Sequence, residues 1–154
     1  TVMSLVRQLP NQHYTIVTSG ANIAIELSQR SRSTVSCVGG QISSSTLSLS
    51  GPQAEAFLAT VNIDTAVLAA TGYSAGAGFT VGSYTENSLK RRVIQKADKV
   101  ILLIDRSKLG RTLPFTFASL SDIDVVICDA PLPEDFIQAA RAAGTEVLQV
   151  QPAK

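Results

Sequence analysis

The sequence predicts an α/β fold, a mainly parallel sheet with helices on both faces, and three observations carry that expectation. The segment KVILLID at 99–105 is apolar almost throughout and bounded by polar residues, which is how a central parallel strand covered on both faces reads. Short apolar or β-branched runs alternate along the chain with stretches of helical periodicity, the pattern of strands joined by crossover helices. Most of the strand-like runs end in glycine, hydroxyl or charged residues, as expected where loops leave the carboxyl ends of strands. A sheet of about five to seven strands follows from this α/β pattern.

Taken in order, residues 1–9 (TVMSLVRQL) read as an amphipathic helix without a cap, so the chain is expected to be a piece of a longer polypeptide. TIVTS at 15–19 and STVSCVGG at 33–40 are short strands, separated by a helix from about Ala21 to Gln29 that carries Ile23, Ala24 and Leu27 on one face. TLSLSG at 46–51 alternates as an edge strand does, and Pro52 suits the first turn of a helix over Gln53 to Val61. TAVLAAT at 65–71 is a buried strand, followed by a glycine-rich turn at 72–78 and a helix from about Tyr84 to Ala97. After KVILLID come a short run TFASL at 116–120, the strand DVVICD at 124–129 and the segment LPEDFIQAARAAG at 132–144, a helix with Pro133 near its start and Gly144 as its stop. TEVLQV at 145–150 closes the sheet.

A chain of 154 residues, 45% apolar, is long enough for one domain with a real core. Thirteen basic residues against twelve acidic leave a formal charge of +1, so no concentrated basic face marks a nucleic-acid surface. The cluster Lys90, Arg91, Arg92, Lys96 and Lys99 reads as a solvated helix face and end. Cys37 and Cys128 lie in apolar strand-like runs and are expected to be buried free thiols. With no CxxC, no histidine pair and a single His13 in a polar turn, no metal site is expected, and no cofactor. No apolar stretch approaches the length of a membrane span and no signal sequence opens the chain, so a cytoplasmic protein without membrane contact is expected.

The strand exits are the candidate site. Thr18, Ser19 and Gly20 follow one strand, Gly39 and Gly40 another, Gly72 to Gly78 a third, and Asp105 to Lys108 a fourth. Hydroxyls, glycine N–H groups and a lysine together recognise anions and sugar hydroxyls, so a phosphorylated polyol is the natural ligand. Taken singly, a glycine after a strand more often reflects plain turn geometry, and it is the convergence of these exits that points to a ligand. Glu86 and Lys90 stand one helical turn apart, either as an exposed ion pair or, since Val93 and Ala97 continue their stripe, at the edge of the buried face. Asp105 and Lys108 are either part of the site or a polar strand exit turning at Gly110.

The order VTSGANIAIEL, CVGG, SLSGPQAEAFL, IDTAVLAATGY, GFTVGSYTENSLKRRVI, KVILLIDRSKLG and LSDIDVVICD closely resembles the C-terminal effector domain of DeoR-family bacterial transcription regulators. The resemblance covers nearly the whole chain. It implies a fold related to ribose-5-phosphate isomerase and the CoA transferases, a domain that senses a phosphorylated sugar and forms homo-oligomers, and an upstream helix-turn-helix through which alone DNA is bound. The ligand residues it implies are Thr18, Ser19, Gly39, Gly40, Gly72, Tyr73, Thr80, Glu86, Lys90, Asp105 and Lys108. Two departures stand out: the family's opening D-x-G-S-T-T phosphate loop is represented only by Thr1, and Ser19 stands where the family commonly has asparagine. Aligned with the isomerases on DRSK, the chain has Lys90 at the position of their catalytic glutamate and no counterpart of their D-G-A-D-E motif, so no catalytic residues and no enzyme activity are expected; the alternatives are a sugar-phosphate isomerase-like enzyme with Glu86 as a displaced base and a structural oligomerisation module without ligand.

Overall fold

The computed structural model describes residues 1–30 and 32–150. The described chain divides into two compact units, one of Val2–Val61 and one that begins at Asn62 and also counts Thr1.

The first unit contains α1 (Val2–Val6), β1 (Thr15–Thr18), α2 (Ala21–Arg30), β2 (Thr34–Cys37), β3 (Gln41–Ile42), β4 (Leu49–Ser50) and α3 (Pro52–Ala59). The β-branched runs TIVT and TVSC form a parallel pair with Thr15 opposite Thr34 and Thr18 opposite Cys37. Helix α2 crosses between them and buries Leu27, while Val38, Ala54 and Leu58 are the other buried apolar side chains of this unit. Helix α1 is only five residues long and packs on α2, where Glu26 pairs with Arg7 at 3.4 Å and Arg30 at 2.9 Å. The alternating segment at 46–51 contributes only Leu49–Ser50, which pairs antiparallel with a strand not expected from the sequence, Gln41–Ile42. Two residues are too few to display a period, which is why β3 gave no signal. Cys37 is exposed, contrary to the expectation of a buried thiol, because the short strand β2 covers only its middle residues.

The second unit contains β5 (Ile63–Ala69), β6 (Gly72–Ser74), β7 (Gly78–Val81), α4 (Tyr84–Lys96), β8 (Ala97–Ile104), β9 (Phe115–Ala118), β10 (Val125–Cys128), α5 (Glu134–Ala143) and β11 (Glu146–Gln149). Four of these strands form a parallel sheet in the order β11-β10-β8-β5. Ala69 lies opposite Leu103, Ile104 opposite Cys128, and Cys128 opposite Gln149, so the strands end along one edge. Leu102, Ile104, Val126 and Cys128 are almost wholly buried with Phe117, Phe136 and Ala140, which explains the uninterrupted apolar reading of KVILLID and DVVICD. Helix α5 opens with Glu134 and Asp135, closes with Arg141 and ends at Gly144 in the left-handed conformation (φ 80°), the charge order and stop that the helix dipole and C-terminal geometry favour. The parallel sheet thus has four strands, fewer than the five to seven expected, because TIVTS and STVSCVGG pair with each other, the segment at 46–51 pairs with β3 and TFASL pairs with β7.

The glycine-rich segment 72–78 departs most from its expected form. It is not a free turn but a hairpin, with Gly72 opposite Thr80 and Tyr73 opposite Phe79, and β9 adds a third antiparallel strand. A Cβ on Gly78, whose φ is +73°, would lie 2.5 Å from the Ala118 carbonyl oxygen, so glycine is required for the approach of β9. Phe79 and Val81 fill the space beneath, both fully buried.

Candidate functional site

The carboxyl edge of the four-stranded sheet gathers the four charged residues expected at the ligand, Glu86, Lys90, Asp105 and Lys108. Lys90 lies on the side of α4 that meets the sheet, and its ammonium pairs with Glu86 at 2.9 Å, donates to the Ala69 carbonyl at the end of β5, and stands 5.0 Å from the centre of the Phe117 ring. The pair is therefore at the edge of the buried face and is not an exposed surface pair, the side chains being 15% and 21% exposed. Three ammonium protons meet three internal partners, a carboxylate, a carbonyl and an aromatic face. Burial pushes the Lys90 amine below its ordinary value, and the Glu86 carboxylate works in the opposite direction.

At the neighbouring strand exit, Asp105 caps a short 3-10 turn, Arg106–Lys108, by accepting from the Ser107 amide at 3.1 Å and from its hydroxyl. Burial raises the Asp105 carboxyl, but the Ser107 hydrogen bonds and the Lys108 charge outweigh it and hold it below the usual value. Asp129 follows β10 as Asp105 follows β8, and it accepts from the Arg106 amide at 3.3 Å. It was not among the expected site residues, although the same signal, an apolar run ending in aspartate, occurs in DVVICD.

The hairpin residues are differently placed. Tyr73 is 7% exposed, with its ring centroid 4.8 Å from those of both Phe79 and Phe136. Thr80 is fully buried, and its hydroxyl accepts from the Leu113 amide at 3.1 Å. A Cβ on Gly72 would meet the Arg111 carbonyl at 2.5 Å. Packing accounts for all three residues.

In the first unit, Thr18 and Gly39 leave the same end of the parallel pair, the Val38 amide donating to the Thr18 carbonyl at 3.1 Å. The Thr18 hydroxyl accepts from the Gly20 amide at 3.0 Å, and the Ser19 carbonyl from the Leu49 amide at 2.6 Å. Gly39 and Gly40 have φ of +79° and +97°, conformations that suit glycine. Among the described residues, no group of three or more His, Cys, Asp or Glu side chains is placed to hold a metal ion.

Residues 1–130 match the family described as the DeoR C terminal sensor domain. The chain belongs to this family. Similar proteins carry regulator names. This DeoR-type sensor chain is 34% identical over 149 residues to the HTH-type transcriptional regulator GlpR of Haloferax volcanii, an overlap of 96% of this chain and 58% of that protein. It is 30% identical over 148 residues to the HTH-type transcriptional repressor GlcR of Bacillus subtilis, covering 96% and 57%. The Glycerol-3-phosphate regulon repressor of Escherichia coli is 28% identical over 130 residues, covering 84% and 52%. The sensor chain spans little more than half the length of these curated relatives. Among its described residues, no helix is long and apolar enough to cross a membrane.

Proposed function

We propose that this chain is the effector-sensing part of a DNA-binding transcription regulator, and that it binds a phosphorylated sugar or a sugar-derived intermediate. The observation that carries this reading is the match of residues 1–130 to a sensor-domain family whose similar proteins are named as transcriptional regulators and repressors. The charged carboxyl edge supports it: Lys108 supplies positive charge for a phosphate, while Glu86 and Asp105 suit sugar hydroxyls. Lys90 serves this edge by tying α4 to the end of β5 and by holding the Glu86 carboxylate in place.

DNA would be contacted through a helix-turn-helix outside this chain, in a cytoplasmic homo-oligomer. An effector that binds one arrangement of such an oligomer better than another shifts the population toward it, by no more than its differential affinity. No catalytic step is assigned to the chain. The test is calorimetry with a panel of sugar phosphates on the chain and on a longer protein carrying the upstream segment, with operator binding by the longer protein as the second readout. Saturable binding of one sugar phosphate that changes operator affinity is expected. A panel that leaves both heat and operator affinity unchanged overturns the reading.

A further inference from the structure

The opposite face of α4 carries a second feature, apart from the carboxyl edge of the sheet. Tyr84, Asn87, Ser88, Arg91, Arg92 and Gln95 line a recess of about 350 Å³. At 100° per residue these positions run along a stripe centred roughly half a turn around the helix from Glu86, so the recess faces away from the Lys90 pair. Its lining is rich in donors and contains no carboxylate: two amides, two hydroxyls and two guanidinium groups.

Asn87 is the informative member. It is 7% exposed, and its amide nitrogen has no hydrogen-bond partner. Native structures rarely leave a buried donor without an acceptor, and when they do an unseen group commonly supplies it. The broad, two-fold χ2 torsion of asparagine lets either end of this amide turn toward an occupant. Arg91 is exposed and takes part in none of the ion pairs among the described residues. An occupant matching this lining must bring acceptor oxygens and negative charge, and guanidinium groups match the oxygens of a phosphate best.

We propose that the α4 recess is an oxyanion site separate from the carboxyl edge of the sheet, and that it takes a phosphate group, either free or on a small monoester. Asn87 donates from its amide and Arg91 supplies charge. Two arms distinguish the sources, inorganic phosphate and methyl phosphate, each titrated into the isotope-labelled chain at constant ionic strength while the side-chain resonances of Asn87 and Arg91 are followed. Saturable shifts of both are expected, with a dissociation constant of about 1 mM or tighter, and the tighter anion names the source. Arg91→Gln should weaken binding roughly ten-fold or more. Asn87→Leu should abolish the phosphate-induced shift at Arg91, and if that variant does not fold, Arg91→Gln carries the test. Resonances that stay still or drift without saturating overturn the proposal, as does wild-type affinity in Arg91→Gln or in folded Asn87→Leu. These resonances report the recess alone, so its failure is distinct from any failure of sugar-phosphate binding at the carboxyl edge.

Discussion

The Lys90 ammonium lies 2.9 Å from the Glu86 carboxylate one helical turn before it, and the same ammonium donates to the Ala69 carbonyl. A pair that sequence spacing alone allows to lie in solvent is instead what fastens α4 to the end of β5. Removing the lysine leaves a carboxylate and a carbonyl without their donor. We predict that Lys90→Met lowers unfolding stability by about 1 to 3 kcal/mol, read as a shift of the urea midpoint at unchanged slope. Combining it with Glu86→Gln should recover part of the loss, since contacting residues are coupled. Strict additivity of the two substitutions would argue against the pairing.

The same lysine predicts an alkaline trend. Its amine is held below the ordinary value of 10.5 in the folded chain, so between the lowered value and 10.5 the unfolded state binds more protons than the folded one. Stability contributed by this group therefore rises with pH through that window and levels off above it. Urea midpoints measured across the alkaline range should show a rise in the wild type that is reduced in Lys90→Met.

Gly78 and Gly76 sit two residues apart and should respond in opposite ways to alanine. At Gly78 a Cβ meets the Ala118 carbonyl at 2.5 Å and φ is +73°, whereas nothing lies within 4 Å of a Cβ on Gly76. Gly78→Ala should cost about 2 kcal/mol or more, through strain of roughly 1 to 3 kcal/mol for the backbone conformation together with the clash. Gly76→Ala should be neutral or stabilising by up to about 1 kcal/mol. Thermal melts of the two variants check the contrast.

Tyr73 should behave as a core residue. Tyr73→Phe keeps both ring contacts and should leave sugar-phosphate affinity unchanged, while Tyr73→Ala should cost about 3 to 5 kcal/mol as other buried aromatics do. A selective loss of affinity in a stably folded Tyr73→Phe would place its hydroxyl on the ligand.

Lys108 should behave as a ligand residue. It is half-buried beside Asp105, and a charge-assisted contact is worth about 1.5 to 3 kcal/mol, so Lys108→Ala should weaken sugar-phosphate binding roughly ten-fold or more with the melting temperature little changed. Calorimetry on a protein that includes the segment upstream of Thr1 is the measurement, and equal affinity in the variant would reduce Asp105 and Lys108 to a polar strand exit.

The alternation of apolar runs with helical stripes was enough to specify the α/β class, the five helices to within a few residues, and the strands β5, β8, β10 and β11, because each of these segments is long enough, or apolar enough, to display its period. The motif order was likewise enough for the family. What sequence could not settle was the partner of each polar group. A glycine-rich stretch has the same composition as a ligand loop or as a hairpin, and only the pairing of Gly72 with Thr80 and of Tyr73 with Phe79, closed by the approach of β9 to Gly78, makes it a hairpin. Glu86 and Lys90 have the same spacing on an exposed helix as on a buried one, and only the meeting of α4 with the end of β5 and with Phe117 places the lysine against internal partners. Asn87 looks like any polar residue on a charged helix until its surroundings show a buried amide without an acceptor. Periodicity is a local property of the chain, whereas the environment of a polar atom is set by segments distant in sequence, and that is where the tertiary structure decided.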